Sequence, residues 1–356
     1  MRKKKLRIGL CLSGGGVYGA FQAGLIQSLY EGGVHIDVFA GSSIGAINSV
    51  LASDHESKFL QNFWLNLPNS IQREMEFAQK QWVGCLLSLG RANRIGTKAG
   101  RDYANSHNWL EKVKKWLVSD FEYECRRVGR EEARNYINSQ IREIEEKGPL
   151  ISIKAVDYMR KQLSKPNVRS LVYATVCELQ EFKGKHIEKM NTQKHCEVTD
   201  RGHHKPVERG NAVEMGLASA SLPLVFGRMN TINPTNYMDG GLYDNLPCNI
   251  LQKHLDDDEI DCLLIVDISR SAKAFRDEVL GWRVRRNTPC LYVGLSKTDD
   301  PLKHLLDFSM AARLYKLGHK TGQKAVRQWF SDGFDPVASF LTSPSILPET
   351  HVIRAV

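Results

Sequence analysis

The chain has 356 residues, of which 42% are hydrophobic and 25% are charged, and its formal net charge is +9. This is the composition of an ordinary globular protein, so it excludes an intrinsically disordered chain. Apart from the run at 2–5, the basic residues are interspersed with acidic ones. No nucleic-acid recognition motif accompanies them, so nucleic acid is not expected as a partner.

The first predicted element is a buried strand at 6–12. Its apolar residues follow a basic run, as in a signal peptide, but they lead directly into glycines without a cleavage pattern. No apolar run approaches the roughly 20 residues of a membrane-spanning helix. The eight cysteines contain no C-x-x-C pair and are typical of free thiols in a reducing compartment. We therefore expect a cytoplasmic protein with at most peripheral membrane contact. Secretion by a route that needs no Sec signal stays open.

A glycine-rich loop, "LSGGGVYGAF" at 12–21, follows this strand. Gly14, Gly16 and Gly19 have the G-x-G-x-x-G spacing of a dinucleotide site, whereas Gly14, Gly15 and Gly16 alone also fit an oxyanion hole. Both functions use glycines to bring backbone N–H groups close to negative charge. The loop predicts an anion site without deciding between a phosphate and a transient oxyanion.

The order of the next elements indicates an α/β protein. A helix at 17–30, a strand at 34–40 and a helix at 44–52 predict a mostly parallel central sheet flanked by helices in three layers. The charged stretch at about 53–165 is predicted to be a helical insertion or cap. Further strands are predicted at 170–177, 260–268 and 290–295, and a helix at 301–318. We expect one domain, 1–356, with its core motifs at 6–270 and a helical C-terminal part at about 300–356.

The second predicted strand ends in a G-x-S-x-G motif formed by Gly41, Ser43 and Gly45. This motif is typical of a serine on a sharp strand-to-helix turn, where flanking glycines relieve the crowding. The amide of Ile44 would be one donor to an oxyanion, and Gly14 to Gly16 would supply the others. The alternative is that a serine here only caps the helix.

The candidate base is Asp239, which Gly240 and Gly241 follow in "YMDGGLYDNLP". Apolar residues nearby in the sequence predict a dry environment that would raise its proton affinity: Leu222, Leu224, Val225, Phe226 and Met238. Histidines also follow Ser43, and His351 is the alternative as the base of a triad. The dinucleotide hypothesis is weaker because its acid, Asp37, would precede the apolar end of the strand.

Together, the glycine loop at 14–19, the motif at 41–45 and Asp239-Gly240-Gly241 resemble the patatin-like phospholipase family. The segment "ASASLPLVFG" at 218–227 is also similar to the family's segment before its catalytic acid. The resemblance implies a serine lipid acyl hydrolase that uses a Ser43–Asp239 dyad, with no metal, no cofactor and no separate histidine. Its substrate would be a phospholipid or another acyl-ester lipid.

The chain departs from the family's pattern in the glycine loop. Many members have an arginine or lysine where Tyr18 stands, and an aspartate where Ser13 stands. The alternatives to a hydrolase are a nucleotide-binding module and a catalytically silent membrane-binding protein of the same fold. The histidines of 195–204 match no zinc spacing and are expected in an exposed loop.

Overall fold

The structure is a computed structural model. It describes residues 6–78, 153–179, 203–221, 231–232, 235–242, 244–269, 289–295, 305–329 and 351–355. Of the predicted insertion at 53–165, residues 79–152 lie outside these ranges.

The described strands form one mixed sheet, in the order β5-β6-β3-β2-β1-β7-β8-β9, with β4 also paired to β3. Six strands run parallel to one another: β3, β2, β1, β7, β8 and β9. Strands β4 and β6 pair antiparallel with β3, and β5 pairs antiparallel with β6. The strands are β1 (Ile8–Leu12), β2 (Val38–Ser42), β3 (Leu171–Leu179), β4 (His203–Val207), β5 (Thr231–Ile232), β6 (Thr235–Asp239), β7 (Cys262–Asp267), β8 (Cys290–Leu295) and β9 (His351–Ala355).

Helices cover both faces of the sheet, which confirms the predicted three-layer α/β fold. Alternate residues of β1 point to opposite faces, so Leu10 and Leu12 join the larger hydrophobic cluster and Cys11 the smaller one. Only α7, among the described helices, packs on the smaller cluster. The helices are α1 (Gly19–Glu31), α2 (Ile44–Ala52), α3 (Ser57–Leu65), α4 (69–78), α5 (Ile153–Leu163), α6 (Ala212–Ser219), α7 (Cys248–Asp256) and α8 (Ala311–Trp329).

Some predicted bounds were wrong. Strand β2 begins at Val38, although the sequence placed its start at 34, because the apolar residues before it are buried in a connection. Helix α8 begins at Ala311 and continues past Gly318 to Trp329. A Cβ on Gly318 would lie 1.9 Å from the carbonyl oxygen of Phe21. This glycine therefore lets α8 pack closely on α1 and does not end the helix.

The sequence analysis missed β4, β5, β6 and β9, which are short or lie far along the chain from the strands that they pair with. His203 and His204 were expected in an exposed loop, but they begin β4, which pairs with β3.

Strand β3 lies between the two strands that carry the candidate catalytic residues. On one edge Thr175 pairs with Ser42, the residue before Ser43, and on the other edge Val176 pairs with Asp239. Adjacent strands are about 4.8 Å apart. The sheet order thus brings two distant parts of the sequence to the same place.

Candidate active site

Ser43 occupies a strained turn between β2 and α2. Its backbone angles are φ 52° and ψ −125°, in a region that costs a residue other than glycine about 1–3 kcal/mol. The glycines of the motif make the turn sterically feasible, since a Cβ on Gly41 would lie 2.4 Å from the carbonyl oxygen of Gly45. The turn presents the hydroxyl of Ser43 at the carboxyl edge of the parallel strands.

The hydroxyl of Ser43 donates a hydrogen bond to Oδ2 of Asp239 at 2.7 Å, across 196 positions of sequence. The other carboxylate oxygen, Oδ1, accepts the N–H of Gly241 at 2.8 Å. The backbone N–H of Asp239 donates to the carbonyl of Ser221 at 3.1 Å. These bonds leave Oδ2 as the oxygen that faces the serine, which is the geometry that proton transfer from Ser43 needs.

The carboxyl of Asp239 is buried, with 3% of its surface exposed. Burial raises the pKa of Asp239 from 3.8 to about 6, although the hydrogen bonds from Ser43 and Gly241 act in the opposite direction. A carboxylate with a higher pKa is a stronger base. Of the apolar residues expected to supply the dry environment, 222–226 and the side chain of Met238 lie outside the described residues.

The glycine loop lies against the nucleophile. A Cβ on Gly14 would lie 2.9 Å from the Cβ of Ser43. The N–H of Gly14 donates to the carbonyl of Asn245 at 3.2 Å, which ties the loop to the segment after Asp239. Within the described ranges, the N–H groups of Gly15 and Gly16 have no acceptor. The loop therefore has two backbone N–H groups without an acceptor among the described residues, and its first glycine lies against Ser43.

Ile44, which the sequence analysis expects to be the other donor, is the first residue of α2. Its N–H belongs to the first turn of the helix, where N–H groups have no partner within the helix and the helix dipole is positive. Gly19 lets α1 approach this residue, because a Cβ there would lie 2.5 Å from Cγ1 of Ile44. The side chain of Ile44 therefore packs against the start of α1, directly after the glycine loop.

A buried polar network joins the glycine loop to α2. Asn48 donates to the carbonyl of Gly19 at 2.9 Å and to Oε1 of Gln22 at 3.0 Å, and it accepts the indole N–H of Trp64 at 2.9 Å. Gln22 in turn donates to the carbonyl of Ser13 at 2.8 Å. Satisfied buried networks fix relative position. The sequence analysis did not find these residues, because a polar residue on a helix gives no sign of its long-range partner.

Gly240 allows the turn after Asp239 to lie close to the backbone of β3. A Cβ on Gly240 would lie 2.0 Å from the carbonyl oxygen of Thr175, and one on Gly241 would lie 3.0 Å from Oδ1 of Asp239. Side chains at these positions would push the acid away from Ser43. The glycines predicted beside the acid therefore have a steric role.

Among the side chains that the structure describes, no histidine forms a hydrogen bond or ion pair with Ser43 or Asp239. His351 begins β9, which is four strands from β2 in the sheet, or about 19 Å. His254 and His319 face glutamates, and His204 contacts Thr175 at 3.1 Å.

The described residues include no cluster of three or more His, Cys, Asp or Glu placed to hold a metal ion. Likewise, none of the described helices has the length and apolar character needed to cross a membrane.

Asp37, the acid that a dinucleotide site would need, lies at the amino end of the parallel strands, opposite the end that carries Ser43. It precedes β2, and its Oδ2 accepts the N–H of Ile8 at the start of β1, at 2.8 Å. The glycine loop follows the other end of β1. A strand of five residues, about 16 Å long, separates the acid from the loop.

Comparison with protein families finds a match to the patatin-like phospholipase model over residues 10–251, more than half of the chain. A lysophospholipase of Aspergillus terreus is 50% identical over 44 residues. This segment is 12% of the present chain and 3% of the fungal protein.

Two bacterial proteins of known structure are similar at low identity. VipD from Legionella pneumophila is 14% identical, with a TM-score of 0.33 and coverage of 95% of this chain and 79% of VipD. ExoU from the type III secretion system of Pseudomonas aeruginosa, in its complex with SpcU, is 16% identical with a TM-score of 0.26. The match covers 90% of this chain and 52% of that chain, so the present chain spans about half of its length. Both TM-scores are below 0.5, so neither likeness supports an assignment.

Proposed function

Because this chain belongs to the patatin-like phospholipase family, we propose that it is a lipid acyl hydrolase of the phospholipase A type. The nucleophile is Ser43 and the base is Asp239. The observation that carries the proposal is the 2.7 Å hydrogen bond from the serine hydroxyl to a buried carboxylate with a raised pKa.

In the first step, the Oγ of Ser43 attacks the acyl carbon of the lipid ester and Oδ2 of Asp239 takes the hydroxyl proton. The tetrahedral intermediate then expels the alcohol oxygen of the lipid, which takes that proton from Asp239. The products are an acyl ester on Ser43 and a free lysolipid. With a pKa of about 6, Asp239 is ionised in about nine of ten molecules at pH 7 and can act as the base.

The negative oxygen of the tetrahedral intermediate is assigned to the backbone donors around Ser43. The N–H of Ile44 and those of Gly15 and Gly16 supply the oxyanion hole, and Gly14 holds the loop in place through its bond to Asn245. The sequence analysis gave the donor role to Gly14, Gly15 and Gly16 together, and the proposal keeps it for Gly15 and Gly16 only. Each donor of this kind lowers the activation barrier by about 3 kcal/mol.

In the second step, water replaces the lysolipid and the same carboxylate activates it. Asp239 takes a proton from the water while the water oxygen attacks the acyl carbon. Collapse of the second intermediate returns the proton to Oγ of Ser43 and releases the fatty acid. The enzyme is thereby restored, and no metal or cofactor enters either step.

A phospholipid at a membrane surface is the proposed substrate, and the support for it is the family alone. Asp37 lies at the amino end of the strands, whereas the glycine loop lies at their carboxyl end, and this separation argues against the dinucleotide alternative. A catalytically silent membrane-binding protein would keep the fold without using the dyad. The three functions differ in what the protein does to a vesicle.

The test incubates the protein with mixed phospholipid vesicles and measures released lipids by mass spectrometry. The wild type should release fatty acid and lysolipid, whereas Ser43→Ala and Asp239→Asn should release almost none. Ser53→Ala is the matched control, because its buried hydroxyl donates to Val50 at the far end of α2 and should leave turnover unchanged. A fluorophosphonate probe should label the wild type and not Ser43→Ala.

Turnover near the wild-type rate in Ser43→Ala or Asp239→Asn would overturn the assignment of the dyad. Vesicle binding with neither lipid release nor probe labelling would identify a silent membrane-binding protein. Thermal stabilisation by a nucleotide without lipid release would favour the nucleotide-binding module.

A further inference from the structure

The C-terminal end of α6 contacts the backbone of both dyad residues. The Oγ of Ser219 accepts the N–H of Ser43 at 3.0 Å and donates its own proton to the carbonyl of Thr175 at 2.6 Å. Two residues later, the carbonyl of Ser221 accepts the N–H of Asp239 at 3.1 Å. One short segment therefore holds the nucleophile and the acid against the same strand, β3.

The contact to Ser43 matters because the nucleophile is strained. A positive φ at a residue other than glycine persists only when the surrounding structure enforces it. The hydroxyl of Ser219 is buried and its two hydrogen bonds use it as both donor and acceptor. It thus fixes the peptide N–H of Ser43 relative to Thr175 of β3. The residue after Thr175 is Val176, which pairs with Asp239.

We propose that Ser219 is a positioning residue that holds the strained backbone of Ser43 in register with Asp239. The inference rests on the proposed hydrolase function. Loss of the hydroxyl leaves the N–H of Ser43 without its acceptor in a partly buried site. The turn can then relax, which changes both the Oγ–Oδ2 distance and the direction of the Ile44 N–H. These two features act on the transition state and not on lipid binding, so kcat should fall while KM stays.

The test compares Ser219→Ala with Ser28→Ala. Ser28 is also buried, and its hydroxyl donates at 2.6 Å to the carbonyl of His319, a bond between α1 and α8 away from the dyad. Both variants lose a buried hydroxyl that bonded a distant carbonyl, so both should lose thermal stability. Ser219→Ala loses two hydrogen bonds and Ser28→Ala loses one, so the loss in Ser219→Ala should be the larger. Only Ser219→Ala should lower kcat, by about 10-fold or more, with KM unchanged. Ser219→Thr keeps the hydroxyl and should restore most of the rate.

Amide hydrogen exchange gives a readout that does not need turnover. The N–H of Ser43 should exchange faster in Ser219→Ala than in the wild type, and at the wild-type rate in Ser28→Ala. If the wild type is active, an unchanged kcat in Ser219→Ala would overturn the positioning role. An equal fall in kcat in Ser219→Ala and Ser28→Ala would also overturn it. A wild type without turnover would instead overturn the proposed function, and unchanged exchange at Ser43 would then remove the positioning role as well.

Discussion

Replacing Asp239 by asparagine should stabilise the fold at neutral pH while it removes the proposed base. The carboxyl is buried, and burial raises its pKa from 3.8 to about 6. Asparagine carries no charge at any pH. Its amide can still accept the N–H of Gly241 and, with the direction reversed, donate to the hydroxyl of Ser43. The substitution therefore removes the cost of a buried charge without removing these hydrogen bonds.

The magnitude follows from linkage between protonation and folding. Because the folded state binds the proton more tightly than the unfolded chain does, the free energy of unfolding falls as the pH rises from 3.8 through about 6. At 1.36 kcal/mol per pKa unit, this interval corresponds to about 3 kcal/mol, and the full cost is present only above about pH 6. For a chain of this length, that free energy shifts Tm by roughly 4 °C.

The assay is thermal unfolding of the wild type, Asp239→Asn and Ser43→Ala at pH 4 and pH 8. Asp239→Asn should unfold at a higher temperature than the wild type at pH 8 and at a similar temperature at pH 4. Ser43→Ala keeps the buried carboxylate and should show no such gain, although it should be as inactive as Asp239→Asn. Equal Tm values for the wild type and Asp239→Asn at pH 8 would refute the conclusion that the carboxylate is buried at a cost.

Three further predictions concern the same region and its supports. The kcat/KM for a soluble ester should rise with pH through about 6 and then level off, because the base acts as the ionised carboxylate, and a profile flat from pH 5 to 8 would contradict this. Gly45→Ala should abolish probe labelling and lower Tm, because its Cβ would lie 2.4 Å from the carbonyl oxygen of Leu12, and normal labelling would show that the turn is not crowded. Gly318→Ala should lower Tm by forcing α8 away from Phe21, whereas Gly210→Ala, which meets nothing within 4 Å, should not, and equal effects would argue against close packing of the two helices.

The local motifs of the sequence predicted a large part of the candidate site. Glycines and a serine at fixed spacing describe the turn at Ser43, because the crowding there arises between residues a few positions apart. The same holds for the glycines after Asp239. The α/β order of the first elements was also readable, since apolar runs and helical spacing are local properties.

Other features depend on partners that are distant in sequence. The bond of Gly14 to Asn245 is the reason why the proposed oxyanion hole uses the amides of Gly15 and Gly16 instead. The strands β4 to β6 gave no clear local signal, because antiparallel edge strands depend on the strand that they pair with. Gly318 was interpreted as the end of a helix, because local propensity cannot distinguish a stop from a close helix contact.

The sequence by itself determined the chemical groups of this protein: a serine on a tight turn, a glycine loop that can hold an anion and an aspartate followed by glycines. Only the tertiary structure decided that the serine and the aspartate meet, because β3 inserts between β2 and β6 and aligns their ends. It also decided that Asp239 is buried and a stronger base, and that Ser219 reaches the backbone of Ser43. Burial and strand pairing are properties of the whole sheet, so no short stretch of sequence contains them.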